Sequence, residues 1–172
     1  MLGVIRTESS FNPHAVSGAP AYGLMQLVPT SGGREAYRRA KNQDIAPSRD
    51  YLFDPENNIE LGAAYLSVLT YDQLDGVDDR MSRDYCVISA YNTGPSNVMR
   101  AFTDAKGKQR FEDGLQRINS LSPSQVFLTL HEKLPFAETR NYLPTVNTNR
   151  KRYYSVDKTV VADDNKPSTS SP

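Results

Sequence analysis

A chain of 172 residues is long enough for one domain with a substantial core and too short for two comfortable ones. Its 20 basic residues balance 20 acidic ones, so no overall field steers it toward nucleic acid or an anionic membrane, and a largely uncharged polymer suits it better. One cysteine and two histidines far apart in sequence, His14 and His131, argue against an internal disulfide, a metal site or any other cofactor.

Cys86 stands beside Val87 and Ile88 and reads as a small buried hydrophobe rather than a nucleophile. No stretch approaches the ~20 apolar residues needed to span a bilayer. Nor does a basic-then-apolar start read as a signal peptide.

The first element, Met1 to Thr7, is amphipathic and reads as the end of a helix whose first turns are missing. The chain is therefore expected to be a fragment, or to have a misplaced start, with any export signal upstream. Asn12-Pro13 ends that helix, because the residue before a proline is pushed out of the α region. Ser17 to Pro20 is loop, and Gly23 to Leu27 is expected to form one short helical turn. Pro29 to Arg49, rich in Arg and Lys, is a partly helical surface connection.

Asp54-Pro55-Glu56 predicts a helix start, with Asp54 as cap and Pro55 where a missing N–H costs nothing. That helix should run to about Asp72, with Ile59, Ala63, Leu66 and Leu69 on its buried face. Gly62 inside it costs roughly 1 kcal/mol against alanine, which predicts close packing of another backbone there. Ser82 or Asp79 caps the next helix, which carries Val87, Ile88 and Tyr91 inward before Asn92-Thr93-Gly94-Pro95 stops it. Ser96 to Phe102 is a short helix. Ser122-Pro123-Ser124-Gln125 has the pattern of a capping box and opens a helix through about Lys133. Pro135 or Phe136 opens the last helix, on which Glu138, Tyr142 and Val146 share a face. Long alternating β-branched runs are absent, so the chain is mostly α. Ser155 to Pro172 holds almost no large apolar residue after Val161 and is expected to be a disordered tail.

Three blocks carry the chemistry: Glu8-Ser9-Ser10-Phe11-Asn12-Pro13, Gly23-Leu24-Met25-Gln26 and Ala90-Tyr91-Asn92-Thr93-Gly94, followed by Glu138-Thr139-Arg140-Asn141-Tyr142. Together and in this order they resemble the catalytic domain of lytic transglycosylases, the goose-lysozyme-like enzymes that cut the glycan strands of bacterial peptidoglycan. The resemblance covers roughly residues 1 to 150. The Phe53-Asp54-Pro55 and Asn58-Ile59 to Tyr65-Leu66 stretch looks closest to the membrane-bound C subfamily. Thr93 stands where the family usually has a smaller residue, a mild departure.

The resemblance implies a mostly α, lysozyme-like single domain in which Glu8 is the catalytic acid. A carboxyl shielded from water keeps its proton more tightly and can deliver it to a leaving oxygen. In the family the glutamate protonates the oxygen joining N-acetylmuramic acid to N-acetylglucosamine. It then takes a proton from the 6-hydroxyl of the same muramic sugar, which closes a 1,6-anhydro ring without water. The substrate's own acetamido group relieves the developing charge, so no second carboxylate is required, unlike most glycosidases.

The same likeness places Ser17 and Gln26 along the sugar groove. It makes Tyr91 a hydrogen-bond partner of the carboxyl or a stacking surface, and Asn92 an acetamido ligand or a helix end. Glu138 and Tyr142 reach back to the groove, whereas Arg140 is expected to make a structural ion pair. Met25 reads as core. The implied substrate is peptidoglycan and the implied location the periplasm or cell envelope, with outer-membrane anchoring only through an upstream lipoprotein segment. Two other readings stay open: a hydrolytic muramidase, and a glycan-binding module that keeps the fold without turnover.

Overall fold

The computed structural model describes residues 1–163. Helix α1 (Leu2–Ser9) packs along the last helix, α9 (Ala137–Asp163). Gly3 makes that approach possible, since a Cβ on it would stand 2.9 Å from the backbone nitrogen of Arg150 and from the Val146 carbonyl oxygen. Two further contacts clamp the pair: Asn149 Nδ2 donates to Thr7 Oγ1 at 3.0 Å, and the Phe11 and Tyr153 rings meet edge-on at 5.9 Å.

Between them, α2 (Gly32–Lys41) lies on α4 (Pro55–Val68), with the short α3 (Arg49–Phe53) leading into α4. Asp54 caps α4 by accepting from the Asn57 N–H at 2.9 Å, and Pro55 opens it, as the sequence predicts. The α-helix stops at Val68. A π-helical turn, Leu69–Gln73, carries the chain on to about the predicted end.

Of the two candidate caps for α5 (Arg80–Thr93), Asp79 serves, accepting from Ser82 N–H at 2.7 Å, and Ser82 is buried inside the helix. Gly94, at φ 82°, ends α5 and Pro95 begins α6 (Pro95–Arg100). The capping box forms at Ser122 and Gln125 and starts α8 (Pro123–Lys133). Helices α3 and α7 (Gly107–Asn119) are not among the elements the sequence predicts. Helix α7 buries little of its own, chiefly Gly114 and Ile118, and Gly114 leaves room for Met99.

Three expectations need correction. Residues 22 to 27 form no helical turn but a tight loop closed by the bridges Val16 to Tyr22 and Tyr22 to Leu27. Gly23 at φ 78° and Gln26 at φ 47° are left-handed, which α-helix excludes. Gly62, expected to admit another backbone, admits a side chain instead: a Cβ there would overlap Met25 Sδ. The last helix also continues to Asp163, into the segment predicted to be tail, since no proline or glycine interrupts residues 145–163. Residues 164–172, the rest of that segment, lie outside the described residues.

The main core gathers Val4, Ile5, Met25, Ile88 and Leu143 among others, and Cys86 lies fully buried in it, its thiol pushed up to about 12 by burial. A smaller cluster holds Leu27, Ala36, Leu52 and Leu61. Tyr65 and Tyr91 pack against both, so the seam between the clusters is aromatic. Among the described residues no helix is long and apolar enough to cross a membrane.

Candidate active site

Glu8 sits in the last turn of α1, immediately before Ser10 and Phe11 turn the chain away through left-handed conformations at φ 52° and 66°. Its carboxyl is largely sheltered. The Tyr142 hydroxyl, on the face of α9 turned toward α1, donates to Glu8 Oε1 at 2.5 Å. Burial raises the Glu8 pKa from the ordinary 4.5 to about 7, against the opposing pull of the Tyr142 hydrogen bond and with help from the negative charge of Glu138. The negative end of the α1 dipole acts in the same direction as burial. Because α9 grips α1 along its length, this terminal turn is held by tertiary contacts and not by helix propensity.

The Ala-Tyr-Asn block comes to the same place from α5. Tyr91 Oη donates to the Met25 carbonyl at 2.8 Å, and its ring lies 5.4 Å from that of Tyr65. Burial holds both the Tyr91 and Tyr142 hydroxyls well above their usual pKa, with the Glu8 charge adding to each, so both stay protonated donors at neutral pH. The hydrogen bond to the carboxyl that the sequence offered to Tyr91 is made by Tyr142 instead. Tyr91 has a single proton and spends it on Met25. Asn92 follows on α5, half-buried, with a buried Oδ1 that has no partner among the described residues.

The Gly-Leu-Met-Gln loop is fixed by Asn58, a fully buried residue in the first turns of α4. Its Oδ1 accepts from the Met25 N–H at 2.7 Å, while Nδ2 donates to the carbonyls of Tyr22 at 2.9 Å and Leu52 at 2.7 Å. Gly23 is required beside it, because a Cβ would collide with the Asn58 amide and the Leu52 carbonyl. Gln26 Nε2 donates to the carbonyls of Ala15 and Gly23 at 3.0 and 2.8 Å, which leaves only its Oε1 for a ligand. Met25 is fully buried, as expected of a core residue.

Glu8, Tyr142, Tyr91 and Glu138 are therefore brought within electrostatic reach of one another, and Gln26 shapes the adjoining loop. Ser17 is not drawn in: it is exposed, and its hydroxyl donates to the nearby Ala19 carbonyl. Glu138 is exposed on the first turn of α9. The ion pair expected of Arg140 does not form among the described residues; its guanidinium donates instead to the Leu134 carbonyl at 2.8 Å, still a structural role.

Sequence reasoning missed Asn58 and Tyr65 as parts of this site. The available signal was an asparagine inside a predicted helix, where its low propensity needs a reason. A groove of about 1110 Å³ between α5, α8 and α9, floored by Tyr85 and Phe127, contains none of the predicted site residues. Among the described residues no cluster of three His, Cys, Asp or Glu side chains stands ready for a metal ion.

Comparison with known proteins gives the same picture. The chain is 45% identical over 153 residues to membrane-bound lytic murein transglycosylase C of Yersinia enterocolitica, covering 89% of this chain and 41% of that protein. Against the Klebsiella pneumoniae protein of the same name the identity is 47% over the same shares. The chain thus spans about two fifths of the length of the curated relatives it matches. Among solved structures, an inactive glutamate-to-glutamine mutant of lytic transglycosylase Slt from Pseudomonas aeruginosa superposes with a TM-score of 0.60 at 31% identity, over 86% of this chain and 20% of that one. The 70 kDa soluble lytic transglycosylase of Escherichia coli gives 0.57 at 26% over the same shares. The fold is accordingly the mostly helical, lysozyme-like one. The model of the transglycosylase SLT domain matches residues 1–113, and the chain belongs to that family.

Proposed function

We propose that this chain carries the catalytic unit of a peptidoglycan lytic transglycosylase, with residues 1–150 as its domain and Glu8 as both acid and base. The observation that carries this reading is a sheltered carboxyl with a pKa of about 7, held through Oε1 by Tyr142. A group of that pKa is present in both protonation states near neutrality, as a residue that first gives and then takes a proton must be.

With Oε1 held by Tyr142, the proton resides on Oε2. It passes to the bridging oxygen as the bond from that oxygen to the anomeric carbon of N-acetylmuramic acid breaks. The substrate's acetamido oxygen shares the positive charge left on that carbon. The Glu8 carboxylate then takes the proton of the 6-hydroxyl, whose oxygen bonds to the anomeric carbon and closes the 1,6-anhydro ring. Proximity of that hydroxyl gives an advantage of up to roughly 7–11 kcal/mol over a bimolecular attack.

Tyr91, with Tyr65 packed on its ring, lies in the field of Glu8 and helps to shelter it. The Gln26 Oε1 is an acceptor for an acetamido N–H, and Asn92 and Glu138 line the approach. The inactive glutamate-to-glutamine variant of Pseudomonas Slt supports an essential glutamate in such a site. The names of the membrane-bound relatives support a place in the cell envelope, with any membrane attachment made outside the described residues.

The test is mass spectrometry of muropeptides released from purified peptidoglycan. Products lighter by one water (~18 Da) than hydrolytic ones are expected, because an internal hydroxyl replaces water as nucleophile, and Glu8→Gln should release none. Reducing-end products would make the enzyme a muramidase, and binding without release would make it a recognition module.

A further inference from the structure

Arg49 is exposed and makes no ion pair with any described residue, although Asp50 and Asp54 follow it closely in the chain. Asp54 is committed to capping α4. Three cations of neighbouring α2 are otherwise engaged: Arg34 with Asp44, Arg39 with Asp72, Lys41 with Glu60. Arg49 instead lays its guanidinium 5.0 Å from the centroid of the Phe53 ring. Phe53 in turn is fixed by two edge-on rings, Tyr22 at 5.7 Å and His14 at 5.5 Å. Stacking removes rotamer freedom before any ligand arrives, so this cation is pre-organised.

Its place is as telling as its charge. Tyr22 and His14 belong to the same loop as Gln26, whose side chain binds the carbonyl of Ala15, next to His14. Leu52, adjacent to Phe53, is joined through Asn58 to Met25, and Met25 accepts from Tyr91 beside Glu8. The patch thus continues the loop that borders the carboxyl. Peptidoglycan glycan itself is largely uncharged; its anionic groups are the carboxylates of the peptide stems carried on the muramic sugars.

We propose that Arg49, stacked on Phe53, receives a peptide-stem carboxylate of the strand and makes the site favour peptide-bearing over bare glycan. This rests on the peptidoglycan reading given above. A planar guanidinium suits a carboxylate's two oxygens, which an ammonium matches less well.

The experiment compares intact peptidoglycan with the same material stripped of stems by an amidase and then amidated at the lactyl carboxylates this frees, measuring both kcat/KM and co-sedimentation of the Glu8→Gln protein. For Arg49→Ala the intact-to-stripped ratio should fall about fivefold in both measurements, the upper range for an exposed ion pair of ~1 kcal/mol. Arg49→Lys should recover part of it and Arg49→Glu should lower it further. An equal loss on both materials, or none on either, overturns the proposal while leaving the peptidoglycan reading intact. If the wild type neither binds nor cleaves either material, the peptidoglycan reading itself fails.

Discussion

Replacing Glu8 by Gln should make the protein more stable at neutral and alkaline pH while removing its activity. A pKa raised from 4.5 to about 7 means that the folded state holds a proton more tightly than the unfolded state does. Folding then loses stability as pH rises from about 4.5, and the loss is complete above about 7, at a cost of about 3 kcal/mol. Gln has no charge to desolvate and still offers an oxygen to the Tyr142 hydroxyl. The variant should therefore match the wild type near pH 4.5 and exceed it by up to about 3 kcal/mol at pH 8, or roughly 6–12 °C in Tm. Urea unfolding of both proteins at the two pH values measures the difference directly. A variant less stable at pH 8, or a gap that is the same at both pH values, would refute the assignment of a sheltered acid whose pKa burial raises.

Other outcomes follow from the same geometry. Tyr142→Phe removes the bond that lowers the Glu8 pKa, so the alkaline limb of the pH–rate profile should move up by about 1–2 units; a static limb would show that the bond does not control the acid. Glu138→Gln removes a charge that raises the same pKa, so the limb should move down while anhydro products persist. Loss of all turnover in that variant would instead point to Glu138 as the water-activating carboxylate of a hydrolase. Asn58→Ala leaves the Met25 N–H and the Tyr22 and Leu52 carbonyls without their buried partner, and should cost about 3 kcal/mol in chemical denaturation. A cost below ~1 kcal/mol, the net worth of a single ordinary hydrogen bond, would mean that the loop does not depend on this clip.

The elements legible in the sequence are those whose cause is local. Asp54-Pro55 and the Ser122 to Gln125 box specify their helix starts through side chains that reach backbone groups three residues away, and both form as predicted. Glu8, Tyr91, Gln26 and Tyr142 were visible as members of motif blocks. Their division of labour was not, because residues 134 positions apart meet only when α9 folds back on α1. Sequence alone could not decide whether Tyr91 or Tyr142 would hold the carboxyl; the Met25 carbonyl decides it by taking the Tyr91 proton. Likewise Gly62 announced a close approach without saying that Met25 makes it, and in α7 the stripe of Phe111, Leu115 and Ile118 that packs on the core is short and interrupted by Gly114, against which Met99 lies. The sequence by itself determined the helical class, the caps and the candidate acid. Tertiary structure alone decided that acid's proton affinity, since desolvation and the field of neighbouring charges depend on which surfaces are buried together.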